Sequence, residues 1–244
     1  VFPGLNIRGG VCYFLWERDH NGPCEIINHR SNQQNKPITR FLKEDKLDIF
    51  LRYNESLSIY EKVASFEEES FSRIVSSRKP FGLPTNFKEF SESKTKTHDI
   101  KLYRYGENGY ISESEIGKYK KLVDTYKVFV PYASPGDDSY PHAILSKPII
   151  ASSKTACTET YLMIGPLENK TQCMNIADYM MTSFFRFMVL LSKSTQHITS
   201  KTYNLVPILD FEESWTDEKL FKKYNIDNDE IEFINSLIKK VERK

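Results

Sequence analysis

The spacing of hydrophobic and polar residues switches several times along this chain, and each switch predicts an element. Residues 11–17 (VCYFLWE) form an unbroken β-branched and aromatic run, the pattern of a buried strand central in a sheet. Asn21-Gly22, close after Asp19, is a hairpin-type turn. Cys24 to Asn28 then predicts a second strand, antiparallel to the first. Polar residues 29–40, centred on SNQQNKP, read as a loop or linker. Leu47 to Leu51 is a short strand or the approach to a helix. Leu57, Tyr60 and Val63 share one face and predict a helix from Glu55 to Val63. Phe71, Ile74 and Val75 suggest a second short helix, ended by Lys79-Pro80-Phe81-Gly82-Leu83-Pro84.

The middle of the chain reads as short strands joined by long loops. Strands are expected at Ile100 to Tyr105, 127–132 (KVFVPY), Pro148 to Ser152 and Thr160 to Ile164. Turns or loops are expected at Gly106 to Gly109 and at 133–141 (ASPGDDSYP). From Thr171, a possible cap, the residues Ile176, Tyr179, Met180, Phe184, Phe187, Met188 and Leu191 keep helical spacing, predicting one buried helix over 172–191. Thr216 caps a helix that ends near Tyr224. Asp227 with Glu230 forms a capping box for a last helix, which the apolar face carries to about Val241. The fold class expected is α+β, with a small twisted sheet, the 172–191 helix packed on it and two terminal helices docked against both.

Composition narrows the class. The chain has 244 residues, of which 39% are hydrophobic and 13% aromatic, too apolar for a disordered tail and enough for a real core. Its 4 cysteines include no C-x-x-C pair and match neither a disulfide scaffold nor a zinc pattern, so a reducing, cytoplasmic setting is expected. No apolar stretch is long enough to span a bilayer, since the run around 184–191 is interrupted by Arg186 and bounded by Ser192. The start, VFPGLNIRGG, has no signal-peptide shape and enters an apolar run at once, as if cut from a longer chain. The net charge is +1, but it is unevenly spread: residues 78–127 carry +4, residues 147–209 carry +3 and residues 210–244 carry −3.

Several patterns could carry chemistry. No G-x-G-x-x-G or G-x-x-x-x-G-K-[ST] occurs. Arg8-Gly9-Gly10 before a strand reads either as a phosphate-approaching loop or as an edge turn. The 5 histidines (His20, His29, His98, His142, His197) form no H-x-x-x-H or H-E-x-x-H pair, so no metal site is expected. Asp137-Asp138 reads mainly as a solvated turn, with a hard-cation site as the alternative. Cys157 is a nucleophile only if a base such as His142 lies about 3 Å away, and otherwise a small packed residue. Lys79, Lys88, Lys94, Lys96, Lys101 and Arg104 are the densest basic cluster, interleaved with Phe81, Phe87, Phe90, Tyr103 and Tyr105. Such a set either grips phosphates and stacks on bases, or is a solvated face over a core that uses the aromatics. The polar stretch from Ser192 to Lys201 offers donors for phosphates or base edges, or is a hydrogen-bonded connection.

Two groups of segments carry a family resemblance. Phe2-Pro3-Gly4, then Ile7-Arg8-Gly9-Gly10-Val11-Cys12-Tyr13-Phe14-Leu15-Trp16, resembles a segment of adenine-specific DNA methyltransferases of bacterial type II restriction-modification systems. The stretches Thr182 to Gln196, Thr202 to Pro207, and Asp210-Phe211 through Trp215-Thr216-Asp217-Glu218 look like that family's carboxy-terminal target recognition region. The resemblance implies three parts: 1–35 as the last strands of a truncated Rossmann-like methyltransferase sheet, 36–125 as linker helices and the basic start of the recognition domain, and 126–244 as the rest of that domain. It implies double-stranded DNA as partner, together with an amino-terminal methyltransferase region that this sequence lacks. S-adenosylmethionine would be the cofactor of the full enzyme, which methylates an adenine flipped from the duplex. The family's glycine motif and Asn-Pro-Pro-Tyr are absent here, so no catalytic, cofactor or metal residue is expected and this chain alone is not expected to transfer a methyl group. Expected DNA contacts are Arg8, Lys79, Lys88, Lys94, Lys96, Arg104 and Lys193, with Gln196, Thr199 and Lys201 as base-edge readers. Two other readings compete: a self-contained metal-dependent nuclease built around Asp137 or Asp210, and an interaction module that binds no DNA.

Overall fold

The computed structural model describes residues 12–29, 37–44, 47–133 and 141–241. Arg8, Gly9 and Gly10, Asp137 and Asp138 lie outside the described residues. The chain is a mixed α+β protein of small sheets and helices, and its contacts divide it into two compact units, Val1–Phe66 and Glu67–Lys244. The division falls inside the segment 36–125 that the sequence suggested as one part.

In the first unit, strands β1 (Cys24–Ile26) and β2 (Ile38–Arg40) pair antiparallel, and helix α1 (Ser56–Ala64) follows. The buried face of α1 is Ser56, Ile59 and Val63, while Leu57 and Tyr60 of the expected face are only half-buried; Leu51, before the helix, is also buried. Arg40 is also buried, but each end of its guanidinium is met. Nε donates to Asn54 Oδ1 at 3.1 Å, Nη1 to Glu44 at 3.1 Å, and Nη2 to the Leu51 carbonyl. The expected strand at 11–17 does not form over its described residues: 12–17 are irregular, and Tyr13, Phe14, Leu15 and Trp16 are exposed. A strand is made by its neighbour, and β1 pairs with β2 instead.

The second unit is built on two three-stranded sheets. In one, β3 (Ile100–Tyr103) lies between β4 (Gly109–Ile111), antiparallel, and β7 (Thr155–Cys157), parallel. In the other, β5 (Tyr126–Pro131) lies between β6 (Ile149–Ala151) and β8 (Tyr161–Leu167), both antiparallel. The sheets share a core in which Ile100, Leu102, Ile111 and Ala156 of the first meet Phe129, Ala151 and Met163 of the second. Side chains alternate along β5, so Val128 and Val130 face away from that core, towards helix α2 (Lys170–Met181). Lys127 shares the face of Phe129 and is wholly buried. Its ammonium donates to the carbonyls of Thr125 (2.7 Å) and Val123 (3.0 Å), at the end of a 3-10 helix.

The helix expected over 172–191 is two helices. α2 is capped by Asn169, whose side chain accepts from Gln172 N–H, and not by Thr171. At Thr182 the backbone turns extended (ψ 152°), and α3 (Ser183–Ser192) begins. One hydroxyl serves both ends: Thr182 Oγ1 donates to the Tyr179 carbonyl (2.7 Å) and accepts from Phe185 N–H (3.1 Å). The Asp217 carboxylate accepts from Ser183 and Phe184 N–H at 3.0 and 2.9 Å, placing a negative charge at the positive end of α3. From Ser183 to Leu191 every residue of α3 is buried, as an apolar helix enclosed on all sides must be. Phe184 stacks on Tyr224 at 5.0 Å, Phe185 packs edge-on to Phe71 and Tyr179, and Phe187 edge-on to Phe233.

Helices α4 (Asp217–Lys223) and α5 (Asn228–Leu237) carry the expected caps, Thr216 and the Asp227–Glu230 box. α5 ends at Leu237, short of Val241, because Ile238 turns extended and pairs with His142 as a one-residue parallel bridge. Trp215, just before α4, donates its indole N–H to the Asp210 carbonyl. Among the described residues no helix is long and apolar enough to cross a membrane.

Candidate nucleic-acid interface

The basic cluster divides along β3. The turn from Thr95 to His98 abuts the start of the strand, so exposed Lys94 and Lys96 belong to that end. Arg104 follows the strand at its other end. It is occupied: its guanidinium lies 4.3 Å from the Phe90 ring centre, and Nη1 donates to the Glu107 carbonyl. Lys88 is exposed, on the stretch that follows the Pro84–Phe87 turn.

The interleaved aromatics are mostly core. Phe81 and Phe87 are buried between the sheets, and Phe90 and Tyr103 pack against the same core. Of this group only Tyr105 is well exposed, at 78%. The alternative in which the aromatics serve the fold therefore holds for four of the five.

At the end of β5 the two polar segments meet. Tyr132, next after the strand, has the Arg78 guanidinium 4.8 Å from its ring centre and the His197 ring at 4.9 Å. Backbone fixes the second contact: Ile198 N–H donates to the Tyr132 carbonyl at 2.7 Å, and Ala133 pairs with His197. A local turn fixes the first. Lys79 has φ 64° and Gly82 φ 79°; a Cβ on Gly82 would stand 3.1 Å from Gly117 Cα, so the turn after Arg78 depends on glycine there. Arg78 also reaches Glu159 at 3.4 Å. The Thr85 N–H bond, with the charges of Arg78 and Lys79, holds the Glu159 carboxyl below its ordinary range despite partial burial. Lys79 lies beside this pair, half-buried.

The 193–201 stretch is ordered by its own polar groups. Thr199 N–H donates to Thr202 Oγ1 at 3.0 Å, and the two hydroxyls are 3.5 Å apart, which caps the 3-10 helix Ser200–Tyr203. Gln196 and Lys201 are exposed, and Lys193 is half-buried. The structure thus joins Arg78 and Lys79 to the 193–201 segment through Tyr132, and sets Lys94 and Lys96 at the far end of β3. Sequence reasoning passed over Tyr132 and His197 as a pair; nothing in their spacing announces the stack.

The other candidate chemistries find different places. Cys157 is buried, its thiol directed to the Tyr161 carbonyl and its pKa pushed up by burial, while His142 pairs with Ile238. Asp210 accepts from Glu212 N–H. Among the described residues no group of three His, Cys, Asp or Glu side chains could hold a metal ion. No known family model matches the chain, and no curated protein matches it.

Proposed function

We propose that this chain grips and reads double-stranded DNA, as the target recognition part of a site-specific adenine DNA methyltransferase of a restriction-modification system. The family resemblance supplies the class. The observation that carries the reading is the Arg78–Tyr132–His197 stack, which draws two basic, donor-rich segments to one end of the sheets. Arg78 and Lys79 would contact phosphates from one side, and Lys201 with Lys193 from the other. Exposed Gln196 would reach a base edge. Methyl transfer from S-adenosylmethionine would belong to residues outside this chain, because neither its glycine motif nor Asn-Pro-Pro-Tyr occurs here; no residue is assigned to that cofactor.

Fluorescence anisotropy of a short labelled duplex tests the reading. Affinity should fall steeply between about 50 and 200 mM salt. The double substitution Arg78→Ala, Lys79→Ala should weaken binding to all sequences alike and lower the salt slope by roughly 1–2. Gln196→Ala should cost roughly 1–3 kcal/mol on the preferred sequence alone. Equal losses on preferred and scrambled duplexes exclude Gln196 as a reader. Absence of binding at low salt overturns the proposal.

A further inference from the structure

Arg186 is, with Lys127, one of the two most buried charges of the second unit, and no described residue there gives it a counter-ion. It is 1% exposed, yet among the described residues Nε, Nη1 and Nη2 all lack a hydrogen-bond partner. Arg40 is the contrast, since its buried guanidinium is met by a carboxylate, an amide and a carbonyl. The group that acts most directly on Arg186 is Tyr203, a neutral phenol whose buried hydroxyl also has no partner among the described residues. Burial lowers the guanidinium only to about 10, so it stays charged near neutrality.

The guanidinium nitrogens of Arg186 are themselves covered, but the residue borders an opening at the surface. It lines a pocket of about 370 Å³, together with Ser146, Lys147, Lys239 and Lys240, and the remaining lining is apolar. The three lysines are exposed around it, and among the described residues no carboxylate lines it. Backbone holds the walls together. His142 N–H donates to the Leu237 carbonyl at 2.7 Å and Lys239 N–H to the His142 carbonyl at 2.9 Å, so the segment carrying Ser146 and Lys147 is tied to the tail carrying Lys239 and Lys240. The floor is the first turn of α3, where Arg186 N–H bonds to the Thr182 carbonyl.

We infer that this pocket is an oxyanion site that takes a phosphate group, with Arg186 as its buried fork and Lys147, Lys239 and Lys240 as its rim. An arginine cannot readily relieve burial by losing its proton, and no described residue supplies the counter-charge, which a bound anion would provide. Four cationic groups and a hydroxyl suit a dianionic tetrahedral group better than a single carboxylate. The volume leaves room for the group to which the phosphate is attached. The inference does not depend on the DNA reading.

Thermal unfolding of the full chain, titrated with inorganic phosphate at ionic strength balanced by chloride, tests it. The melting temperature should rise with phosphate, on the order of 5–10 °C at a hundredfold excess over Kd. Arg186→Met should abolish the rise, whatever its starting value. Should that variant not fold, the Lys239→Gln, Lys240→Gln pair, which touches only exposed side chains, should weaken phosphate binding several-fold. A native protein indifferent to phosphate overturns the inference, as does an equal rise in Arg186→Met. A duplex-binding arm separates the sources. Loss of duplex affinity in Arg186→Met marks a backbone phosphate; unchanged duplex affinity with a lost phosphate response marks a free phosphorylated ligand.

Discussion

Lys127 illustrates how a single residue can carry a pH dependence. Wholly buried between the sheets, its ammonium is pulled by desolvation from the usual 10.5 down to about 8, while carbonyls at the end of a 3-10 helix accept its protons. Between those two values the unfolded chain holds the proton and the folded chain does not. The site therefore opposes folding most below about pH 8 and is relieved as pH climbs towards 10.5. Compared with Lys127→Met, the native protein should gain on the order of 1–3 kcal/mol across that window in urea unfolding. A constant difference would show that the amine is not desolvated. The position of Lys127 was hidden in the sequence, because strand alternation places it with Phe129 only once the second sheet is known to cover that face. Arg186 was half legible: a charge amid Phe184, Phe185 and Phe187 stands out, but its lack of a partner among the described residues depends on distant segments.

Among the elements, those with local signals were readable and those made by distant neighbours were not. Thr216 and the Asp227–Glu230 box set their helix starts through side chains three residues away, so sequence alone locates them. Strand β7 has three small residues, no periodicity, and a partner, β3, some fifty positions earlier; nothing local marks it. The apolar run at 12–17 suggested a strand by composition, yet a strand needs an edge to pair with. The break between α2 and α3 is invisible to periodicity, since apolar spacing continues through it without Pro or Gly. Its stability rests on one hydroxyl facing both ways. Thr182→Ala should lose both bonds, costing about 1–2 kcal/mol and lowering the urea midpoint with the slope unchanged, while Thr182→Ser should retain most of the stability. An alanine variant of native stability would mean that packing alone holds the corner.

For the whole molecule, the α+β class was legible from the sequence, but the division into units was not. The polar stretch 29–40 looked like the boundary, yet Ile38–Arg40 is the strand that completes the sheet of the first unit. Likewise the basic cluster at 79–104 looked continuous along the chain and is split by β3, while Tyr132 joins positions 78 and 197, which are far apart in sequence. If the second unit is self-sufficient, a polypeptide of residues 67–244 should unfold in one cooperative transition, with coincident circular dichroism and fluorescence curves. A non-cooperative melt of that piece would mean that its core is incomplete without the preceding residues.

The two tryptophans of this chain fall one in each unit, Trp16 exposed at 69% in the first and Trp215, hydrogen-bonded to Asp210, in the second. Each unit thus comes with its own natural optical reporter. Emission from Trp16 should already be red and little changed by urea, so most of the spectral shift on denaturation should belong to Trp215. A Trp16→Phe protein then becomes a label-free instrument for watching the second unit alone.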